Sequence, residues 1–136
     1  MSELIDLSIV VPAYNEEHRL PPTLERLHQF LEQQPLRYEI VVVDDGSRDD
    51  TCGVVERCPL SNVRLVRQTP NKGKGAAVRL GMLEARGQIR VMCDADGSMP
   101  PEQLPRLLAP IVACKASIAI GSRVAVPSTR KLMAMR

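Results

Sequence analysis

The sequence predicts an α/β fold, doubly wound around a mostly parallel sheet. Three observations carry that expectation. Five short β-rich runs, "LSIVVP" (7–12), "YEIVVVD" (38–44), "VRLVRQ" (63–68), "IRVMCD" (89–94) and "SIAIGS" (117–122), are spread along 136 residues. Three of them are near-continuously aliphatic without alternation, as strands covered on both faces require. Segments of helical periodicity fall between them, and strand–helix alternation of this kind builds a parallel sheet.

The elements can be justified in order. After the first run, Leu20, Leu24, Leu27 and Leu31 recur at spacings of four, three and four, with Pro21-Pro22 suited to a helix start. After the second, "RDDTCGVVERC" predicts a shorter helix with acids in its first turn, capped by Ser47 or Asp49. After the third, the glycine-rich "NKGKG" precedes Ala76, Leu80 and Leu83 at helical spacing. Pro101 opens a further helix through Leu104, Leu107 and Leu108, which Pro110 is expected to kink or end. The fifth run is followed only by "RVAVPSTRKLMAMR", with no later strand to close the sheet edge. An edge left bare predicts exposed backbone groups, and self-association or a mobile covering tail to hide them.

Composition limits the functions available. Hydrophobic residues make up 44% and charged residues 25%, the ordinary balance of one soluble domain. With no Trp, one Phe and two Tyr, the core is expected to be Val, Ile, Leu, Ala and Met. Residues 1–56 hold 12 acids and 4 bases, whereas 57–136 hold 14 bases and 4 acids. Such a split can prepare a site for a metal and a phosphorylated ligand, although most of these charges solvate helix faces. A nucleic-acid surface is excluded by the lack of a dense basic run and of stacking aromatics. Cys52, Cys58, Cys93 and Cys114 follow no metal spacing, and reduced, mostly buried thiols are expected. His18 and His28 lack zinc spacing. The acidic N-terminus is unlike a signal peptide and no apolar run approaches the roughly 18 residues of a span. A cytoplasmic chain is expected.

In open α/β sheets ligands bind beyond the carboxyl ends of the strands. There the first run delivers "PAYNEE", the second "DDGS", the fourth "DADGS" and the fifth "GSR", while "NKGKG" follows the third. Asp94 and Asp96, two carboxylates at i and i+2, can both face one hard cation of the Mg²⁺ or Mn²⁺ type. Their plainer reading is a polar turn before a helix capped by Ser98. Asp44 and Asp45 end the second run, and capping by Ser47 and Asp49 leaves Asp45 unexplained. "NKGKGAAVRLG" is neither a P-loop nor a dinucleotide fingerprint, which disfavours a dinucleotide-dependent oxidoreductase. Lys72 and Lys74 nonetheless sit by a helix N-terminus that favours anions.

Together "SIVVPAYNEEHRLPPTL", "YEIVVVDDGSRDDT", "NKGKGAAVRLGMLEARG", "IRVMCDADGSMPPE" and "AIGSR" resemble, in order and spacing, the inverting family 2 glycosyltransferases of GT-A fold. The closest likeness is to the polyprenyl-phosphate sugar transferases, the dolichyl-phosphate glucosyl- and mannosyltransferases and their bacterial relatives. The likeness spans residues 8–123. It implies transfer of a hexose from a nucleoside-diphosphate sugar, of the UDP-glucose or GDP-mannose type, to a polyprenyl phosphate, with Mg²⁺ or Mn²⁺ as cofactor.

Carried over by position, the resemblance implies that Pro12, Tyr14 and Glu16 line the nucleoside pocket. Asp45 is to bind the base with Asp44 beside it. Asp94 and Asp96 are the metal-binding pair, Asp96 the more direct ligand. Arg123 is to reach donor or acceptor phosphate, and Asp96 and Arg123 are the catalytic expectation. Ala13, Lys74 and Ala95 complete the substrate-binding set. Gly97-Ser98 stand where mannosyl members often have a longer polar residue, which favours a glucosyl-type or bacterial relative. Residues 1–123 are then a Rossmann-like donor-binding domain. Residues 124–136 are a basic and apolar tail, the start of an acceptor half that family members continue into, directed toward the cytoplasmic face of a membrane. An alternative is a truncated, catalytically silent nucleotide-sugar-binding module.

Overall fold

The computed structural model describes residues 4–112, 118–122 and 131–135. By internal packing the chain divides into two compact units, Met1–Met99 and Pro100–Arg136. The sequence-level boundary at residue 123 falls in the second of these, outside the described residues.

In the first unit, β1 (Leu7–Ala13), β2 (Tyr38–Asp44), β3 (Val63–Arg67) and β4 (Ile89–Met92) form a parallel sheet of order β3-β2-β1-β4. Helices α1 (Leu20–Leu31), α2 (Thr51–Glu56) and α3 (Lys74–Glu84) connect them. Every residue of the central strands β1 and β2 is buried, which explains their unbroken aliphatic sequences. The register pairs Ile9 with Ile40, Val10 with Val41 and Val11 with Val42. Alternate residues therefore build two cores. Val10, Val41 and Val43 pack with Ala77 and Ala85 on one face. Ile9, Val11, Ile40 and Val42, equally buried, line the other. The buried stripe of α1 is the expected Leu20, Leu24, Leu27 and Leu31.

The inward face of α3 differs from its expected one. Ala77 and Gly81 are its buried residues, and Leu83 is 65% exposed. The reason is distance. A methyl group at Gly81 would lie 2.3 Å from Val10 Cγ1 and 2.9 Å from Val43 Cγ2. The helix lies so close to the sheet that only small residues fit between them. Two of the described thiols, Cys52 and Cys58, are only half-buried, while Cys93 is fully buried. Burial, with the charge of Asp94 adding to it, pushes the Cys93 thiol up to about 12.

The second unit narrows one expectation and corrects another. A 3-10 turn (Pro101–Gln103) leads into α4 (Leu104–Val112), which carries Pro110 inside it rather than ending there. Proline in the last turn removes only one i−4 hydrogen bond, so the helix tolerates it. β5 (Ile118–Ser122) does not extend the parallel sheet. It pairs antiparallel with β6 (Lys131–Met135), from Ile118–Met135 to Ser122–Lys131, in a sheet of two. The part of the tail read as lacking a strand is that strand, and β5 is paired on that side because backbone groups take the nearest available partner. Among the described residues no helix is long and apolar enough to cross a membrane.

At the amino ends of the strands a charged network ties the sheet together. Glu39, 6% exposed, accepts from Ser8 Oγ (2.6 Å), Arg64 Nε (3.0 Å) and the Arg86 amide (2.6 Å). Gly87 N–H donates in turn to Ser8 Oγ. Burial by itself raises the Glu39 carboxyl, but the bonds from Ser8, Arg86 and Arg64 hold it below its ordinary value. A depressed carboxyl stabilises the fold above the unfolded value and loses that contribution as pH falls through the folded one. Glu39→Gln is accordingly expected to cost about 2 kcal/mol at neutral pH. The difference from the parent chain should shrink below about pH 4. Urea denaturation at pH 7 and at pH 3.5 checks this; a loss independent of pH would show that packing, not charge, is what Glu39 supplies.

Candidate functional site

The strand order reverses between β1 and β4, since β2 and β3 extend the sheet on one side of β1 and β4 joins the other. Such a switch point opens a crevice beyond the strand ends. A cavity of about 390 Å³ lies there, lined by Pro12, Ala13, Tyr14 and Glu16, by Asp45, by Asn71, Gly73 and Lys74, and by Asp94, Ala95 and Asp96 among others.

Beyond β1 the chain turns at Asn15, whose φ of 53° lies in the left-handed region that asparagine tolerates. Its N–H donates to Ser47 Oγ (2.9 Å) and its Oδ1 accepts from the Arg48 amide (2.8 Å). Glu16 and Glu17 amides donate to Thr51 Oγ1 and Asp49 Oδ2. "PAYNEE" is thereby fastened to the loop after β2. Ser47 serves this tie instead of capping α2, and Asp49 accepts from the Thr51 amide (3.0 Å). Glu16 itself is held by Arg19, which reaches both its oxygens at 2.6 and 2.5 Å.

Asp44 and Asp45 diverge because neighbouring residues leave a strand on opposite sides. Asp44 is not brought into the cavity. It is 2% exposed, Oδ2 accepting from the Ser47 amide and Oδ1 buried with no oxygen or nitrogen donor on it among the described residues. Burial first, and the Asp44 carboxylate second, push the Cys52 thiol up to about 11. Asp45, 4% exposed, does face the cavity, and it organises the loop after β3. Its Oδ1 accepts from Gln68 Nε2 (2.8 Å) and the Lys72 amide (2.8 Å), and its Oδ2 from the Gly73 amide (2.9 Å). Gly73 adopts φ 98° to present that amide, a conformation closed to residues with a side chain.

Asp94 and Asp96 follow β4. Asp94 Oδ1 accepts from Lys74 Nζ at 2.5 Å and its Oδ2 from Ser98 Oγ at 3.4 Å. Asp96 is exposed, and its Oδ1 receives the Ser98 amide (2.9 Å). Thr23 Oγ1, donating to the Ala95 carbonyl at 2.8 Å, anchors the segment to α1. Arg123 lies outside the described residues.

The crevice thus gathers Pro12, Ala13, Tyr14, Glu16, Asp45, Lys74, Asp94, Ala95 and Asp96 in one place. Sequence reasoning missed Arg19, Thr23, Gln68 and Asn71. A Glu-x-x-Arg spacing could have pointed to Arg19, but Gln68 meets Asp45 only through the β2–β3 register, in which Asp44 faces Arg67.

Residues 8–136 match the family described as "Glycosyl transferase family 2". The chain belongs to that family. Family 2 relatives include the dolichyl-phosphate beta-glucosyltransferase of Dictyostelium discoideum, 45% identical over 103 residues, a match that covers 69% of this chain and 32% of that one. The chain therefore spans about a third of that relative's length. Among solved structures, glucosyl-3-phosphoglycerate synthase from Mycobacterium tuberculosis in complex with UDP is similar, with a TM-score of 0.70 and 25% identity over 90% of this chain and 45% of that one. A mannosyltransferase from Pyrobaculum calidifontis in complex with GDP-Man and Mn²⁺ gives a TM-score of 0.65 and 30% identity over 93% and 37%. The fold of this family 2 chain is the Rossmann-like, GT-A architecture of those neighbours, and the chain corresponds to part of their length.

Proposed function

We propose that this family 2 chain is the donor-binding part of an inverting glycosyltransferase that moves a hexose from a nucleoside-diphosphate sugar to a polyprenyl phosphate. The observation that carries the reading is the convergence of Asp45, Lys74, Asp94 and Asp96 on one cavity at the switch point. The relative acting on dolichyl phosphate supports the acceptor class, and the UDP and GDP-Man complexes support the donor class.

Asp45 is the base reader of this proposal. A carboxylate offers about four lone-pair positions, and three of those on Asp45 are taken by Gln68, Lys72 and Gly73. One acceptor position suits uracil, with its single ring N–H. Guanine presents two adjacent donors and needs both oxygens. The count favours UDP over GDP as the nucleotide.

The acidic pair suits a hard divalent cation. Among the described residues no group of three or more His, Cys, Asp or Glu could hold an ion. Two carboxylates, Asp94 and Asp96, leave the rest of a shell to phosphate and water, as Mg²⁺ and Mn²⁺ prefer. The ion supplies neutralisation of the charge that develops on the leaving diphosphate. The chain's own residues bind and orient. Asp45 fixes the base, Gly73 and Lys74 begin a helix whose N-terminus favours phosphate, and Arg123 holds the reacting phosphates. In the reaction an acceptor phosphate oxygen forms the new bond to the sugar C1 as the C1–diphosphate bond breaks. The acceptor is already an anion, so no general base is required. Because a polyprenyl acceptor resides in a membrane, we place the reaction at its cytoplasmic face.

Calorimetric titration with UDP-glucose and GDP-mannose, with and without Mn²⁺, tests the reading. Metal-dependent UDP-glucose binding is expected. If neither donor nor free UDP or GDP binds with Mn²⁺ present, the proposal is lost. Donor binding without transfer to polyprenyl phosphate in vesicles would select the silent binding module.

A further inference from the structure

Asp94, one of the two carboxylates offered to a cation, is already occupied. Lys74 Nζ lies 2.5 Å from its Oδ1, with the lysine side chain 60% and the aspartate 30% exposed. The second oxygen is turned toward Ser98 Oγ. At the same cavity, Arg19 neutralises Glu16 in the same way, and Asp96 lies close enough to Arg19 to add to the field on its guanidinium. Two of the cavity's acids are thus held against internal cations. A lysine and a divalent ion cannot share one carboxylate oxygen without strong mutual repulsion.

The geometry points to an exchange: Lys74 is the resident counter-ion of Asp94, expelled when a divalent cation arrives and re-paired with the diphosphate that arrives with it. This rests on the donor-site reading above and adds an ordering to it. Because Lys74 begins α3 while Asp94 follows β4, their pairing also bridges two segments that line the cavity. Releasing it is offset when a nucleotide replaces the lost ion pair. Metal alone then binds weakly, since it must displace Lys74 with nothing to receive the ammonium. Metal and nucleotide together bind well, since the ammonium passes to phosphate.

The test measures Mn²⁺ uptake by electron paramagnetic resonance of the free ion, and UDP binding by calorimetry, for the parent chain, Lys74→Met and Lys74→Arg. Lys74→Met is expected to bind Mn²⁺ alone about tenfold more tightly. The same variant should bind UDP at saturating Mn²⁺ about tenfold more weakly. The opposite signs are the signature of exchange. Lys74→Arg keeps the charge and should stay within about threefold of the parent in both measurements. Thermal melts of the variants confirm that an exposed side chain has been changed without loss of fold. Unchanged Mn²⁺ affinity in Lys74→Met overturns the counter-ion role, and unchanged or tighter UDP binding overturns the re-pairing. A parent chain that takes up no Mn²⁺ even with UDP overturns the donor-site reading and this inference together. Uptake by the parent with no difference in the variants overturns only this inference.

Discussion

Asp45→Ala is expected to produce the largest combined loss of stability and nucleotide binding. Its carboxylate, 4% exposed, is the acceptor for Gln68 Nε2 and for the Lys72 and Gly73 amides. Removing it leaves three donors facing an apolar methyl group. Hydrogen bonds to a charged acceptor contribute more than neutral ones, so a loss of about 3 kcal/mol in urea denaturation is expected. The loop 71–73 remains tied only through Asn71 Nδ2 to the Asp45 carbonyl (2.9 Å) among the bonds to that residue. UMP or UDP binding should fall by about thirtyfold or more whether or not Mn²⁺ is present, because both the proposed base contact and the loop beside it would be lost. A variant that melts with the parent would remove Asp45 as the anchor of that loop. A deficit seen only with Mn²⁺ would move Asp45 from the base to the metal.

Asp96→Asn should give the opposite pattern. Asp96 is exposed at a strand end, and asparagine can still accept from the Ser98 amide with its Oδ1. Stability is therefore expected to change by less than about 0.5 kcal/mol. With one of two carboxylates neutralised, UDP-glucose binding in the presence of Mn²⁺ should weaken by about a hundredfold, near 2.7 kcal/mol. In EDTA the variant and parent should bind UDP alike. Equal metal dependence in Asp96→Asn and Asp45→Ala would mean that the two roles are wrongly divided. The comparison separates two carboxylates of one cavity by burial. The buried one organises the protein, and the exposed one is the carboxylate proposed to meet the cation.

Much of this was legible in the residues. The aliphatic runs of β1 and β2 are unbroken because both faces are covered, and a strand covered on both faces leaves no other pattern. The leucine spacing of α1 is likewise a direct image of its one buried stripe. The motifs "PAYNEE", "DDGS", "NKGKG" and "DADG" needed only the rule that ligands gather at strand ends to be assigned to one crevice. Local chemistry sufficed there, since each motif follows its strand by only a few residues.

Tertiary structure decided what depends on registry and distance. Which of Asp44 and Asp45 enters the cavity is settled by the last pleat of β2, and which loop Asp45 binds is settled by pairing with β3. The inward face of α3 follows from how near Gly81 comes to Val10 and Val43, a separation that hydrophobic periodicity does not encode. β5 could not be assigned to its sheet from "SIAIGS", because a short apolar run specifies a strand but not its partner. The pairing of Lys74 with Asp94 joins residues twenty apart that no motif connects. The sequence determined the kinds of element and the chemistry carried at their ends, because those are local. Only the folded chain decided which donors meet each carboxylate and which carboxylates stay exposed, because that is set by contacts between elements.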